Sequence, residues 1–397
     1  MKKYFNQLKT EIDSLTVFSQ IKNDKAIMQL RELLALICDK DMENAVRVYS
    51  DFAASLYQTT SSLTDYIRTL VVQDDNFYVK RTAAGDAVEA EIRSAAEQEL
   101  IILQKLASLS CEPVQEAIGY EGFLPQWTTQ AADLQYDFME KLNNIQRTGY
   151  GIYAKYTFFR TEEGNIIPVA HPDYQRLDEL FGYERERGLI MKNTQALVDG
   201  TGASNMLLYG DAGTGKSSTI KAIAAALSSK GLRIIEVKKN QLYQIPKIME
   251  ELASNPLKFI LFIDDLSFTG NDDNFSALKA TLEGSISGCG DNVVIYATSN
   301  RRHLVKESFA DRVGDELHLN DTMQETMSLA ARFGLAITFQ RPDKDEYLMI
   351  VKALAAEYGI DMEEEELFKK AEAHAIRKNG RSPRTAKQFI ELLKIGI

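Results

Sequence analysis

The chain has 397 residues, beyond the size at which one hydrophobic core usually keeps growing, so two or three domains are expected. With 45% hydrophobic and 26% charged residues, 8 prolines and no run of roughly 18 uninterrupted apolar residues, it reads as an ordinary globular protein without a membrane span. The net charge of -11 argues against a surface made as a whole for polyanions; a local basic groove is compatible with it, so nucleic acid stays open as a partner without being indicated.

Three isolated cysteines, Cys38, Cys111 and Cys289, suggest neither a disulfide framework nor a zinc site. The opening stretch MKKYFNQLKTEIDS starts with lysines but has no apolar segment behind them and no small-residue cleavage pattern, so a secretory signal is not expected and a reducing cytoplasm fits best.

Residues 1–148 form the first expected domain, all-helical. Apolar residues recur there at helical spacing, as in Ile27, Leu30, Leu33, Leu34 and Ile37, then Ala45, Val48, Tyr49, Phe52 and Leu56. Further helices are expected over 87–106 and 134–145. The stripes are read as the bundle's own core, and no catalytic constellation stands out among them. Residues 149–176 look like a linker containing a hairpin: 153–159 is rich in β-branched or aromatic residues, Glu163-Gly164-Asn165 makes a turn, and 166–169 returns. A long helix is expected over 184–198.

From Asn205 short apolar strands alternate with helices, with strands near 206–209, 233–237, 259–263 and 293–298. Fully apolar strands separated by helices imply a parallel sheet covered on both faces. The α/β core is assigned to 177–332, and 333–397 to a helical lid with helices near 344–358, 362–378 and 381–393.

The stretch GDAGTGKSS follows one of these strands and opens a helix, as the G-x-x-x-x-G-K-[ST] pattern requires. Gly210, Gly213 and Gly215 let the backbone wrap tightly, so that Asp211, Ala212, Thr214 and Ser218 with their neighbours can form a cradle for a polyphosphate at a helix N-terminus. Lys216 would bring an ammonium group to the β- and γ-phosphates, and the Ser217 hydroxyl would help hold Mg²⁺. A dinucleotide loop of the Rossmann kind is disfavoured, because the glycine order differs and the Lys-Ser pair has no use there.

The run Phe259-Ile260-Leu261-Phe262-Ile263 ends in Asp264-Asp265, a buried strand tipped by two carboxylates. Asp264 is assigned to the metal and Asp265 to the attacking water. A third strand ends in Thr298-Ser299-Asn300, and Asn300 is a candidate to orient that water between the acids and the γ-phosphate.

In this order the motifs LLYGDAGTGKSSTIKA, FILFIDDLSF, ALKATLEG, NVVIYATSNRRHL, ARFGL and RSPRTAKQF resemble AAA+ ATPases over about 177–393, a little over half of the chain. They are most similar to a bacterial family of predicted AAA+ ATPases classified mainly as a domain of unknown function. The resemblance implies ATP and Mg²⁺ as cofactors, ATP hydrolysis coupled to conformational change on a protein client, and assembly into a homo-oligomeric ring or arc. ARFGL resembles the arginine-finger region, so Arg332 is expected to reach the γ-phosphate in a neighbouring subunit; Ala331 stands where relatives often carry an acid. RSPRTAKQF resembles the lid motif that presents a second sensor arginine in cis, at Arg384. Leu180-Phe181-Gly182-Tyr183 resembles the segment that touches adenine, with a plain hydrophobic staple as the competing reading. Phe268-Thr269-Gly270 is only superficially similar to a pore loop, and Arg301-Arg302-His303 have enough local work beside a nucleotide to explain them. A slow ATP-dependent switch or loader and a nucleic-acid-remodelling ATPase stay open as alternative functions.

Overall fold

The computed structural model describes residues 2–266, 273–282, 291–300, 331–378 and 380–396. It divides into two compact units, 1–155 and 156–397. No helix among the described residues is long and apolar enough to cross a membrane.

The first unit is helical. Eight helices carry it, Lys2–Asp13, Lys25–Asp39, Met42–Tyr57, Leu63–Gln73, Phe77–Ala84, Ala90–Ala107, Cys111–Ile118 and Leu134–Asn143, followed by the short turns Ile145–Thr148 and Ile152–Lys155. The apolar stripes face one another: Ile27, Leu30, Leu34, Phe52, Leu103 and Phe138 lie in a single core. Helix starts are fixed by side chains that accept orphan N–H groups, Asp24 from Ala26 and Ile27, Ser62 from Asp65, and Asn76 from Val79. A less expected tie comes from Glu99, buried inside the bundle, whose carboxylate accepts the N–H groups of Thr16, Val17 and Phe18 at 2.8, 3.0 and 2.9 Å. Three charge-assisted bonds of this kind offset the cost of burying the carboxylate and pin the link between the first two helices. Cys38 and Cys111 are buried free thiols, while Cys289 lies outside the described residues.

The second unit is α/β. Its sheet has seven strands, β1 (Phe158–Glu162), β2 (Asn165–Pro168), β3 (Met206–Gly210), β4 (Leu232–Glu236), β5 (Lys258–Ile263), β6 (Val293–Ser299) and β7 (Leu335–Phe339), in the order β2-β1-β4-β5-β6-β3-β7. Every neighbouring pair is parallel except β1 with β2. Burial of Phe259 to Ile263 is complete, and each such side chain is worth about 1.5–3 kcal/mol relative to exposure, so the position of the tip of β5 is firmly set. The lid helices Lys344–Glu357, Glu364–Arg377 and Pro383–Lys394 enclose a small core of their own around Tyr347, Val351, Leu367, Ala371 and Phe389.

Two expectations differ from this architecture. The hairpin read as a linker is part of the sheet, since Phe158, Phe159 and Arg160 pair with Ile234, Ile235 and Glu236 of β4; before it, Tyr153 lies in a helical turn. Residues 335–339, read as the beginning of the lid, are a sheet strand that pairs with β3 from Met206 opposite Leu335 to Gly210 opposite Phe339. An edge strand of five residues with Ile337 and Phe339 buried and Ala336 exposed has too short an alternating pattern to stand out against the helices after it.

Candidate functional site

The loop after β3 owes its course to close packing. Gly210 has φ +136°, and a Cβ there would sit 2.1 Å from the carbonyl oxygen of Phe339, so only glycine lets β3 leave the sheet beside β7. Asp211 N–H then donates to that same carbonyl at 3.1 Å. Gly213 and Gly215 also have positive φ, +79° and +91°, and Gly215 opens the helix Lys216–Ala226. The N-terminus of such a helix is the positive end of its dipole, a seat for anions.

Lys216 is buried beneath the loop. Its Nζ donates to the carbonyls of Gly210 and Asp211 at 2.9 and 2.7 Å and to Asn300 Oδ1 at 3.2 Å. Burial pushes the ammonium pKa below the ordinary lysine value; Asp211, Asp264 and Asp265 oppose that shift, and Arg384 adds to it.

The acids are fixed by β5 and β6. Asp264 Oδ1 accepts from Ser217 Oγ at 2.6 Å and from Thr298 Oγ1 at 2.6 Å. Asp265 turns the chain with φ +51°, and its N–H donates to Thr298 Oγ1 at 2.9 Å. Asp is among the few side chains that tolerate this left-handed conformation, which gives a backbone reason for aspartate, and not a longer acid, at this position. Because β6 lies between β3 and β5, Asn300 at its end reaches both motifs: Oδ1 meets Lys216, and Nδ2 donates to Asp265 Oδ1 at 2.8 Å.

The lid closes the other side. Arg384 N–H donates to Gly213 O at 3.2 Å, and a Cβ on Gly213 would lie 3.2 Å from both Arg384 Cβ and Ser382 Oγ. Ser382 caps the helix Pro383–Lys394 by accepting from Thr385 N–H at 3.1 Å. Between loop and lid lies a cavity of about 430 Å³. Leu180, Phe181, Gly182 and Tyr183 line it opposite Ile350 and Leu354 of the lid. Tyr183 stacks on Phe339 with ring centroids 5.0 Å apart and donates its hydroxyl to Gln340 O at 2.6 Å, so this segment is anchored to the sheet as well as facing the cavity.

The cavity brings together Ala212, Gly213, Thr214, Gly215, Lys216, Ser217, Ser218, Asp264, Asp265, Asn300 and Arg384. Gly210 lies behind Lys216. Asp211 turns aside to Arg341, with Nε 3.2 Å from Oδ1 and the Arg341 N–H donating to Oδ2 at 3.2 Å. Arg332 is not brought to this site: it precedes β7, whose first residue pairs with Met206, at the end of the sheet opposite the loop. Phe268-Thr269-Gly270 and Arg301-Arg302-His303 lie outside the described residues.

Sequence reasoning missed Thr298, Arg341 and Lys387. Lys387 lines the cavity one helical turn after Arg384, and that spacing of three was its only local signal. Thr298 and Arg341 are recognisable only once β5, β6 and β7 are in register. As for ions, Ser217 and Asp264 present hard oxygen donors within hydrogen-bond distance of each other, the donor chemistry suited to a magnesium ion that keeps most of its shell for water and phosphate.

A mostly parallel sheet with a phosphate loop after β3, an acidic tip on β5, a polar tip on the strand between them and a helical lid defines an AAA+-type P-loop fold. The chain belongs to the family described as Protein of unknown function (DUF815), which matches residues 153–396. Among solved structures it resembles a RuvB mutant of Thermogota maritima, at 19% identity and TM-score 0.38 over 55% of this chain and 64% of that one. It also resembles the ORC2 protein of Aeropyrum pernix, solved as ADPNP-ADP complexes, at 15% identity and TM-score 0.38 over 56% and 63%. The chain thus spans less than two thirds of either. No curated protein matches it.

Proposed function

We propose that the chain is an ATPase that binds Mg-ATP between the α/β core and the lid and uses its hydrolysis to change the conformation of a protein client. The observation that carries this reading is the convergence of Lys216, Ser217, Asp264, Asp265, Asn300 and Arg384 on one cavity of about 430 Å³, a volume suited to a nucleotide. Lys216 neutralises the β- and γ-phosphates, and the loop and helix N-terminus hold them. Ser217 and Asp264 would hold Mg²⁺, which supplies charge neutralisation at the phosphates when bound. Asp265 positions and polarises the attacking water, and Asn300 fixes the Asp265 carboxylate while reporting on the γ-phosphate side. Arg384 brings a lid charge to the same phosphates. The segment 180–183 offers an apolar face to the base.

Arg332, at the far end of its own sheet, acts on the site of a neighbouring copy in a ring or arc, where its charge favours the transition state. A slow switch is the second reading. It is favoured by Asp265, which is a methylene shorter than glutamate and already engaged by Asn300. Phosphate release by purified protein in magnesium, with and without client, separates the two: many turnovers per minute support the motor, and near-stoichiometric hydrolysis with ATP-dependent assembly supports the switch. Absence of any hydrolysis above background by wild type in every assembly state would remove both.

A further inference from the structure

The helical unit 1–155 carries a groove that its own core does not fill. One face of the helix Ala90–Ala107 lines two adjoining cavities, of about 770 and 400 Å³, which share Leu100, Asp133 and Gln135. From Arg93 to Gln104 this face runs for twelve residues, about 16 Å or three helical turns. The floor is apolar, with Ala96, Leu100 and Phe138 buried. Large apolar side chains stand exposed along it, Tyr136 at 62%, Met139 at 48%, Tyr4 at 46% and Ile101 at 44%, and such a concentration on one face marks an interaction surface.

Charge decides what fits. Asp86, Glu97 and Asp133 line the larger cavity against a single base, Arg93; the base of the smaller one, Lys105, is engaged with Glu11 at 3.0 Å. An acidic rim of this kind repels nucleic acid and anionic lipid and attracts Lys and Arg. Among the described residues the sheet strands all belong to the other unit, so this surface offers no sheet edge to an added strand, and a straight apolar floor three helical turns long under an acidic rim suits a helix laid in it. We propose that this groove docks an amphipathic helix of a partner protein, with an apolar stripe seated on Leu100, Phe138 and Met139 and flanking Lys or Arg residues facing Glu97, Asp86 and Asp133. The proposal does not rest on the nucleotide reading, whose residues all lie in the other unit.

The test uses the full-length chain without nucleotide and three labelled peptides of about four helical turns: a Leu stripe flanked by Lys, the same stripe flanked by Glu, and the Leu/Lys composition permuted to abolish the stripe. Fluorescence anisotropy should show saturable, salt-sensitive binding of the first alone. Glu97→Lys and Met139→Asp should each weaken it at least about tenfold, while Met28→Asp, an equally exposed change on another helix of the unit, leaves it within about twofold. Circular dichroism confirms that all three variants keep the wild-type helical content. Equal binding of the Glu-flanked or permuted peptide, no saturable binding of the Lys-flanked one, or groove variants no weaker than Met28→Asp would each overturn the proposal. A loss of ATP binding elsewhere in the chain leaves these outcomes unchanged, so the two readings fail separately.

Discussion

Ser217 Oγ donates to Asp264 Oδ1 across 2.6 Å, joining the first turn of the helix after the phosphate loop to the tip of β5. Thr298 donates to the same oxygen, also at 2.6 Å. Two hydroxyls on one carboxylate oxygen fix its position, and Asp264 with Ser217 would hold a magnesium ion that would supply charge neutralisation at the phosphates. Ser217→Ala and Asp264→Asn should therefore lower the magnesium-dependent part of ATP affinity by about tenfold or more while leaving magnesium-free nucleotide binding within about twofold. Titrating nucleotide with and without magnesium checks this; equal losses in both conditions would place these residues in the fold and not in the ion site.

Asp265 combines a mechanistic and a backbone role. Asp265→Asn keeps the left-handed turn and the Asn300 contact geometry, so ATP should still bind while turnover falls by about 10²–10³. Asp265→Val cannot adopt φ +51° without strain, and the chain should lose about 1–2 kcal/mol in denaturant unfolding. If Asp265→Val were as stable as Asp265→Asn, the turn would not depend on this residue.

The depressed pKa of Lys216 sets a sign for pH dependence. Burial lowers it in the folded chain below the ordinary 10.5, so between the two values the unfolded chain binds more protons, and apo stability rises with pH across that window. ATP affinity moves the opposite way there, falling as the ammonium group is lost. Lys216→Met should flatten its share of the stability slope, read from denaturation midpoints at several alkaline pH values, and an unchanged slope would show that Lys216 does not titrate early.

Mixing tests the intersubunit reading of Arg332. Arg332→Ala and Lys216→Ala subunits, each inactive alone, should recover part of the wild-type turnover when combined, because a Lys216→Ala subunit still offers its arginine to an intact neighbouring site. Failure to complement in mixed assemblies confirmed by size would confine Arg332 to its own subunit.

The residues legible in the sequence are those whose neighbours in the chain are also their neighbours in space. The phosphate loop sits between its strand and its helix, and Asp264-Asp265 follow five apolar residues that have nowhere to go but the middle of a sheet. Asn300 could be placed because it ends the next apolar strand. By contrast, Arg341 pairs with Asp211 only because β7 lies against β3, and the five residues of β7 were too few to show their own period before a helical stretch. The β1-β2 hairpin was visible as a hairpin, yet its membership of the sheet depends on pairing with β4, about 75 residues onward. Glu99 carries no local signal of its role, because its three N–H donors come from a segment more than 80 residues earlier.

Isothermal titration of the purified chain with ATP in magnesium bears most directly on the central claim. Wild type should show saturable uptake that Lys216→Ala reduces at least about a hundredfold. No uptake of ATP or ADP by wild type with magnesium supplied, or undiminished uptake by Lys216→Ala, would contradict a triphosphate cradle at this loop.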